Sequence, residues 1–280
     1  KLWKSGKVAA GTGLGGRLRV ADVLAAASAP ESSPAPAGAN PPAGPEIPGP
    51  HEDQPIRGIR KIIAERMLSS LRNSAQITLN SSAPAARLLA MRARFKATAP
   101  ENGYSGITIG DLVAYAAVRV LASHPKLNAH VLDGILRSYS QVHLGIAVDT
   151  PRGLMVPTIR DAGSLSLREF SARSKKLAAD CISGSIAPDL LSGGTFTVTN
   201  LGAFGIESFT PVLNEPQTAI LGIDAIAPCP TLDSEGSIGA EMRIGFSLTV
   251  DHRVVDGADA ARYLKDLADF VASIDLALLS

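Results

Sequence analysis

A histidine with Asp251 directly before it and Asp256 four residues after it stands out near the C-terminal end of the chain. The segment DHRVVDG, residues 251–257, follows a stretch in which apolar residues alternate with other residues, and it precedes a helical pattern. A junction between a strand and a helix places side chains at the rim of a sheet, where catalytic groups are common. We therefore take His252 as a candidate general base. The alternative is a structural histidine whose ring is satisfied by hydrogen bonds.

The sequence offers His252 no nucleophile of its own. The G-x-S-x-G pattern of hydrolases is absent, and neither Cys181 nor Cys229 lies in a recognisable nucleophile context. A base of this kind can activate a thiol that arrives with the substrate, since a thiol pKa of about 8.5 is within reach of an imidazole near 6.5. The thiolate would attack a thioester or ester carbonyl, and a hydroxyl from the threonine-rich segment 195–199 would stabilise the oxyanion. That segment is equally compatible with an ordinary strand, because threonine is common in sheets.

Composition excludes several classes of protein. The 280 residues carry a net charge of +1, which argues against a general nucleic-acid binder. No apolar run is long enough for a membrane span, and no secretory signal is recognisable, so we expect a cytoplasmic protein without membrane or nucleic-acid partners. The histidines lack metal-ligand spacing and have no cysteine nearby, so we expect no metal site.

The pattern over residues 56–280 predicts a mixed α/β domain. Helices are expected where apolar residues recur every three or four positions, at 58–73, 84–97, 109–123, 166–181 and 258–272. Strands are expected where they alternate, at 76–82, 142–148, 154–159, 195–199, 218–222 and 243–250. Asp133-Gly134 predicts a hairpin turn within 131–139, and Ser166 with Glu169 predicts a capping box.

Residues 28–55 differ from the rest in being rich in proline, alanine and serine. Such a segment buries too little apolar surface to fold, and its prolines keep it extended, so we interpret it as a semi-rigid linker. It separates a fragment at residues 1–27 from the domain at 56–280. The alternative is an ordinary disordered tail.

Taken in order, several passages resemble the dihydrolipoamide acyltransferase components of 2-oxo acid dehydrogenase complexes. They are GIRKIIAERM (58–67), HPKLNA (124–129), GIAVDTPRGLMVPTIRDA (145–162), GGTFTVTNLGAFG (193–205), PQTAILGID (216–224) and DHRVVDG (251–257). The resemblance covers most of 56–280. It implies a chloramphenicol-acetyltransferase-like α/β sandwich that works as a homotrimer and assembles into a larger core.

The resemblance also implies roles for particular residues. His252 stands where the family has its general base, which takes the proton from the thiol of coenzyme A. Asp256 stands at the supporting position of the motif, and Thr199 where the family has a hydroxyl for the oxyanion. In the family, the histidine and the hydroxyl meet across a subunit interface. Weaker candidates for binding coenzyme A are Arg60, Lys61 and Asn128, although the Arg60-Lys61 pair also suits a solvated helix face.

Residues 11–23 resemble the second half of the family's peripheral subunit-binding domain. That module docks the partner decarboxylase or dihydrolipoamide dehydrogenase, so 1–27 is expected to be a partial subunit-binding module. No Asp-Lys dipeptide marks a lipoylated lysine, so the lipoyl group is expected from another domain or chain. The mitochondrial matrix is the alternative location.

Two departures from the family pattern and two other functions stay open. Gln76 stands where many members have histidine, and His143 where many have asparagine; both changes could tune the lipoyl-side channel. The acyl group is expected to be acetyl, by analogy with pyruvate and acetoin complexes. A small-molecule acetyltransferase and a non-catalytic scaffold remain the alternatives.

Overall fold

The computed structural model describes Arg19 and residues 49–232 and 235–278. Contacts divide the chain into two units, Lys1–Gln54 and Pro55–Ser280, and the fold described here is that of the second. The predictions for the module at 1–27 and most of those for the linker at 28–55 lie outside the described residues.

The second unit alternates helices and strands. The helices are α1 (Gly58–Asn73), α2 (Ala86–Lys96), α3 (Ile109–Leu121), α4 (Leu167–Ser183), α5 (Gly257–Ala272) and α6 (Ile274–Ala277). The strands are β1 (Gln76–Pro84), β2 (Ala129–Leu132), β3 (Ile135–Ser138), β4 (Leu144–Ile146), β5 (Thr158–Ile159), β6 (Phe196–Asn200), β7 (Ala219–Leu232) and β8 (Ile238–Asp251). None of the helices in the described ranges is long and apolar enough to cross a membrane.

One mixed sheet of six strands organises the domain, in the order β1-β8-β7-β6-β4-β5. Strands β4, β6 and β7 run parallel to one another, whereas β8 is antiparallel to both β1 and β7. Strands β2 and β3 form a separate hairpin. The catalytic candidates lie on the central strands β6 and β8 or directly after them.

The two faces of the sheet differ in chemistry because side chains alternate along each strand. On one face, Phe196, Leu221 and Phe246 join a single apolar core with α3 and α5, and the Phe196 ring lies 5.9 Å from that of Tyr263. The other face is polar although it is largely buried: Thr197 Oγ1 donates to Gln217 Oε1 at 2.6 Å. The α/β sandwich expected from the sequence is therefore confirmed.

Local signals in the sequence were accurate where a single turn decides the structure. Ser166 and Glu169 form the predicted capping box of α4. Asp133 and Gly134 both adopt positive φ, 49° and 79°, as the predicted hairpin turn requires. Thr108 and Asp111 form a second capping box, at the start of α3.

The predictions for strands were less accurate. The strand expected at 154–159 is regular only over Thr158–Ile159, and upstream of it a single bridge joins Met155 to Val148. Strands β7 and β8 extend far beyond the predicted 218–222 and 243–250 as a long hairpin. The two strands pair directly with each other along this extension, so their residues need not follow the core alternation that the sequence prediction relied on.

Asp224 introduces a carboxyl group into the buried polar face. It lies where the pairing of β7 with β8 shifts register, between Ile223 and Ile226, and it is only 2% exposed. Its Oδ2 accepts a hydrogen bond from Ser247 Oγ at 2.9 Å, while Oδ1 has no partner among the described residues. Burial therefore raises the pKa of Asp224 to about 6, against the lowering effect of the Ser247 hydrogen bond.

We expect Asp224→Asn to stabilise the protein at neutral pH and not in acid. Because the pKa is higher in the folded state than its ordinary value of 3.8, the native protein binds more protons in the window between the two. The free energy of unfolding of the wild-type protein therefore falls as pH rises through that window, because Asp224 must ionise while buried. Removing the ionisation should raise the free energy of unfolding at pH 7.5 by about 1–3 kcal/mol.

Urea denaturation of the assembled protein at pH 7.5 and 4.5 measures this effect. Asp189→Asn is the matched control, because the side chain of Asp189 is 70% exposed and should have little influence at either pH. An equal gain for Asp224→Asn at both pH values would contradict the assignment.

Candidate active site

The turn after β8 presents His252 to solvent. The chain leaves the sheet at Asp251, and buried Val255 anchors the turn before α5 begins at Gly257. The main-chain N–H of His252 donates to the carbonyl of Ala75 at 2.8 Å, whereas its imidazole is exposed. The backbone at His252 is therefore held by the sheet while the ring is available.

His252 differs from the other four histidines in its hydrogen bonding. The rings of His51, His124, His130 and His143 each have a hydrogen-bond partner. Burial lowers the pKa of His130, which supports its neutral form. Within the described residues, His252 is the one histidine whose ring forms no internal hydrogen bond. No hydrogen bond of its ring therefore supports the alternative that His252 is a structural histidine.

Asp256 caps α5 through its backbone. Its carbonyl accepts from the N–H groups of Asp259 and Ala260 at 3.0 and 3.1 Å. Its exposed side chain makes no capping hydrogen bond. That carboxylate is therefore not committed to the helix end.

Thr199 lies half-buried near the end of β6, on the polar face of the sheet. Its side chain points the same way as that of Thr197, since residues two apart share a face. Thr199 pairs with Gly222, and a Cβ at Gly222 would lie 2.6 Å from the ring of Phe209. The Phe209 ring therefore covers the backbone beside Thr199, a contact that only glycine at position 222 allows.

Within one chain, His252 and Thr199 lie far apart. Thr199 pairs with Gly222, and Gly222 pairs with Ser247. Ser247 precedes His252 by five residues on an extended strand, which corresponds to about 17 Å along the sheet. The two groups cannot act on one substrate atom from the same chain.

The candidates for binding coenzyme A occupy different settings. Arg60 and Lys61 are exposed near the start of α1, and Lys61 Nζ lies 3.9 Å from Glu65. Helix α1 ends at Asn73, close to Ala75, which binds the backbone of His252. Arg60 and Lys61 lie about 20 Å from Asn73 along the helix, so they are at the end far from His252. Asn128 is buried instead; its Nδ2 donates to the carbonyls of Tyr139 and Gln141, and its Oδ1 has no partner among the described residues.

Both departures from the family pattern take part in internal hydrogen bonds. Gln76 Nε2 donates to the hydroxyls of Ser70 and Ser74, and its Oε1 accepts from the N–H of Leu213. His143 Nδ1 accepts from the N–H of Asp161 at 2.9 Å. Both side chains therefore have a structural use, whatever their effect on a channel.

Sequence reasoning missed two features beside the candidates. One is the ion pair between Asp251 and Arg253. The opposite charges of these two residues, one on each side of His252, could have indicated it from the sequence. The other is the contact of Phe209 with Gly222, which no local pattern reveals because the two residues lie on different segments. No three His, Cys, Asp or Glu side chains in the described part of the chain are grouped so as to hold a metal ion.

Comparison with known proteins identifies close relatives. The family model of the 2-oxoacid dehydrogenases acyltransferase (catalytic domain) matches residues 48–279. The dihydrolipoyllysine-residue acetyltransferase component of the acetoin cleaving system of Bacillus subtilis is 40% identical over 220 residues, which cover 79% of this chain and 55% of the relative. The corresponding component of the Corynebacterium glutamicum pyruvate dehydrogenase complex is 39% identical over 271 residues, 92% of this chain and 40% of the relative. The chain thus spans about half the length of these relatives or less.

Solved structures match the fold. Azotobacter vinelandii dihydrolipoamide acetyltransferase superposes with a TM-score of 0.78 at 33% identity, covering 84% of this chain and all of that one. The work on that enzyme concerns the roles of a serine, a histidine and an asparagine in its catalytic mechanism. The cubic core of a pyruvate dehydrogenase multienzyme complex matches with a TM-score of 0.79, also at 33% identity, over 86% of this chain and all of that one.

Gly202→Ala should disturb the turn after Thr199. A Cβ at Gly202 would lie 2.8 Å from the carbonyl carbon of Asp224, so one of two backbone segments must move. We expect a loss of about 1–3 kcal/mol in the free energy of unfolding. Gly257→Ala is the matched control, since its Cβ would meet nothing within 4 Å. Denaturation curves of both variants measure the difference, and equal stabilities would show that the turn adapts freely.

Proposed function

Since the chain belongs to the 2-oxoacid dehydrogenase acyltransferase family, we propose that it transfers an acyl group, acetyl by analogy with its relatives, between dihydrolipoamide and coenzyme A. The observation that carries the proposal is the exposed imidazole of His252, held through its backbone and free of internal hydrogen bonds. The relatives named above are acetyltransferases of pyruvate and acetoin complexes, which supports acetyl as the group transferred.

The proposed reaction uses two side chains of the protein. His252 takes the proton from the thiol of coenzyme A, and the thiolate attacks the thioester carbonyl of acyl-dihydrolipoamide. Thr199 Oγ1 donates a hydrogen bond to the oxyanion of the tetrahedral intermediate. The intermediate collapses by breaking the bond to the lipoyl sulfur, which takes up the proton from the His252 imidazolium. The products are acyl-coenzyme A and dihydrolipoamide.

The spacing of the site supports assembly between chains. Because Thr199 lies about 17 Å along the sheet from His252 in one chain, and on a different strand, a working site needs Thr199 from a neighbouring copy. The resemblance to the family implies that these copies form a homotrimer, and we propose that each of its interfaces holds one site. Asp256 follows His252 by four residues, the same spacing as between the histidine and asparagine studied in the Azotobacter enzyme, and we propose that it supports the site.

We propose coenzyme A binding at the candidates named from the sequence, Arg60 and Lys61, and a different role for Asn128. Arg60 and Lys61 are exposed cations that suit the phosphates of coenzyme A. Asn128 is buried, and its Nδ2 is used by two main-chain carbonyls, so we propose that it acts mainly by fixing the β2–β3 hairpin. The lipoyl group is proposed to come from another domain or chain.

The larger assembly is proposed by analogy with the cubic core. Ile274 is buried within its own chain, whereas Leu276 is 60% exposed in α6. We propose that the exposed part of α6 joins trimers into a larger core, and that residues 1–27 dock a decarboxylase or dihydrolipoamide dehydrogenase.

His252→Ala should abolish most of the transfer. Loss of a general base costs about 10²–10⁴-fold in kcat, and KM should change little because the imidazole acts on the reacting proton.

Thr199→Ala should lower kcat about 10²-fold, while Thr199→Ser keeps the hydroxyl and most of the rate. The assay is coenzyme A-dependent transfer from free acetyl-dihydrolipoamide, with His51→Ala as the control because His51 is exposed and remote in sequence.

The outcomes of this assay separate the three functions. Wild-type activity in His252→Ala would overturn the assignment of the base. Transfer to an alcohol or amine, and none to or from dihydrolipoamide, would favour a small-molecule acetyltransferase. An intact trimer without any activity would favour a scaffold.

Mixing two inactive variants tests whether the site lies between chains. In trimers formed randomly from equal amounts of His252→Ala and Thr199→Ala chains, a site with both groups intact arises at about one quarter of the interfaces. Co-expression should therefore restore about one quarter of the wild-type activity. If each site lay within one chain, the mixture would be as inactive as its components.

A further inference from the structure

The residue before His252 has an unusual number of partners for a single carboxylate. Asp251 is 2% exposed, and its Oδ1 accepts hydrogen bonds from the main-chain N–H groups of Ala75 at 3.3 Å and Arg253 at 3.1 Å. The Arg253 guanidinium donates to both oxygens, from Nε at 2.9 and 3.0 Å and from Nη2 at 2.5 Å. A buried carboxylate is stable only when its charge and lone pairs are compensated in this way.

These bonds hold the backbone on both sides of His252. The N–H of Ala75 donates to the side chain of Asp251, and the carbonyl of Ala75 accepts from the N–H of His252 at 2.8 Å. One residue therefore binds two successive residues of the turn. The side chain of Asp251 also binds the N–H of Arg253, directly after the histidine.

Gln76 extends this support to other elements. It pairs with Asp251 at the last position of the β1–β8 ladder. Its side chain binds Ser70 and Ser74 at the end of α1 and the N–H of Leu213. The backbone of Ala75 is consequently held in place by its neighbours and is not part of a free loop.

The guanidinium of Arg253 has an electrostatic consequence for the site. Burial alone would raise the pKa of the Asp251 carboxyl, but the hydrogen bonds and charge of Arg253 outweigh it and lower that pKa, so the carboxylate is ionised. Arg253 neutralises the carboxylate directly before His252, and Glu215 lies beside this pair, where its charge also raises the pKa of Arg253.

We propose that Asp251 is the positioning residue of the active site: its carboxylate, neutralised by Arg253, fixes the backbone around His252 so that the imidazole meets the thiol and the oxyanion site of the neighbouring chain. This inference rests on the proposed acyl transfer. Asp251 does not touch the substrate. It acts through His252, because a misplacement of a reacting group by 1 Å can cost about 10²-fold in rate.

Asp251→Asn tests this role with little change in shape. The amide oxygen can still accept from Ala75, but the charge is lost and the two-oxygen contact with the guanidinium is broken. We expect kcat to fall about 10–100-fold with the KM for coenzyme A nearly unchanged, since the interaction matters in the transition state and not for binding. Arg253→Lys keeps the positive charge without the planar fork and should lose a smaller part of kcat.

Asp259→Asn is the matched control. Asp259 lies in the first turn of α5 and forms ion pairs with Lys126 and Arg262, but it makes no bond to residues 251–253. Its removal should leave kcat nearly unchanged. The thermal midpoint and the trimer content of all variants are measured in parallel, so that activity is expressed per assembled site.

The split between kcat and KM gives a readout that a purely stabilising role would not change. A residue that only stabilises the fold alters the amount of assembled enzyme, whereas a positioning residue alters kcat per assembled site. Asp251→Asn should therefore lower kcat per trimer, and Asp259→Asn should not.

The results distinguish this inference from the proposed function. If wild type is active, His252→Ala is inactive and Asp251→Asn keeps full kcat, the positioning role is overturned while the acyl transfer stands. A lower thermal midpoint with an unchanged kcat per trimer would likewise reduce Asp251 to a stabilising residue. If His252→Ala is as active as wild type, the proposed function itself fails.

Discussion

Strand β8 is paired on both sides, and this double pairing decides where the turn that carries His252 emerges. Hydrogen bonds to β1 and β7 fix its direction and register up to Asp251. Its alternate side chains Phe246, Leu248 and Val250 are buried in the core, so a slip by one residue would turn apolar groups to the polar face. The exposed position of His252 is thus set by packing elsewhere in the sheet.

Two buried carboxylates show how the same fold treats charge in opposite ways. Asp251 has a guanidinium and two main-chain N–H groups, and its pKa is lowered despite burial. Asp224 has one hydroxyl donor and an oxygen without a partner in the described part of the chain, and its pKa is raised. The number and charge of the donors, rather than burial itself, decides the outcome. The first arrangement holds the backbone of the turn at His252, whereas the second is expected to cost stability at neutral pH.

The sheet has a second buried face, which is lined by polar rather than apolar side chains. Threonines and serines from β6 and β8 are buried there with Gln217, and the Phe209 ring covers Gly222 beside Thr199. Because Thr199 and His252 lie at different ends of this arrangement, chemistry that uses both groups depends on a second copy of the chain. The separation is a property of the sheet register and follows directly from the pairing of β6, β7 and β8.

The sequence by itself determined the helices, the hairpin turn at Asp133-Gly134, the capping box at Ser166 and the candidate residues His252, Asp256 and Thr199. These depend on short-range periodicity, on backbone conformations that few residues adopt and on motifs that are continuous in sequence. The limits of β5 and the length of the β7–β8 hairpin were not predictable, because strand pairing depends on partners distant in the chain. Only the tertiary structure decided that Ala75 is bound to both Asp251 and His252, that Gly222 admits the ring of Phe209, and that one chain keeps its histidine and threonine apart. Each of these contacts joins segments that the sequence separates by many residues, and no local pattern encodes the distance between them.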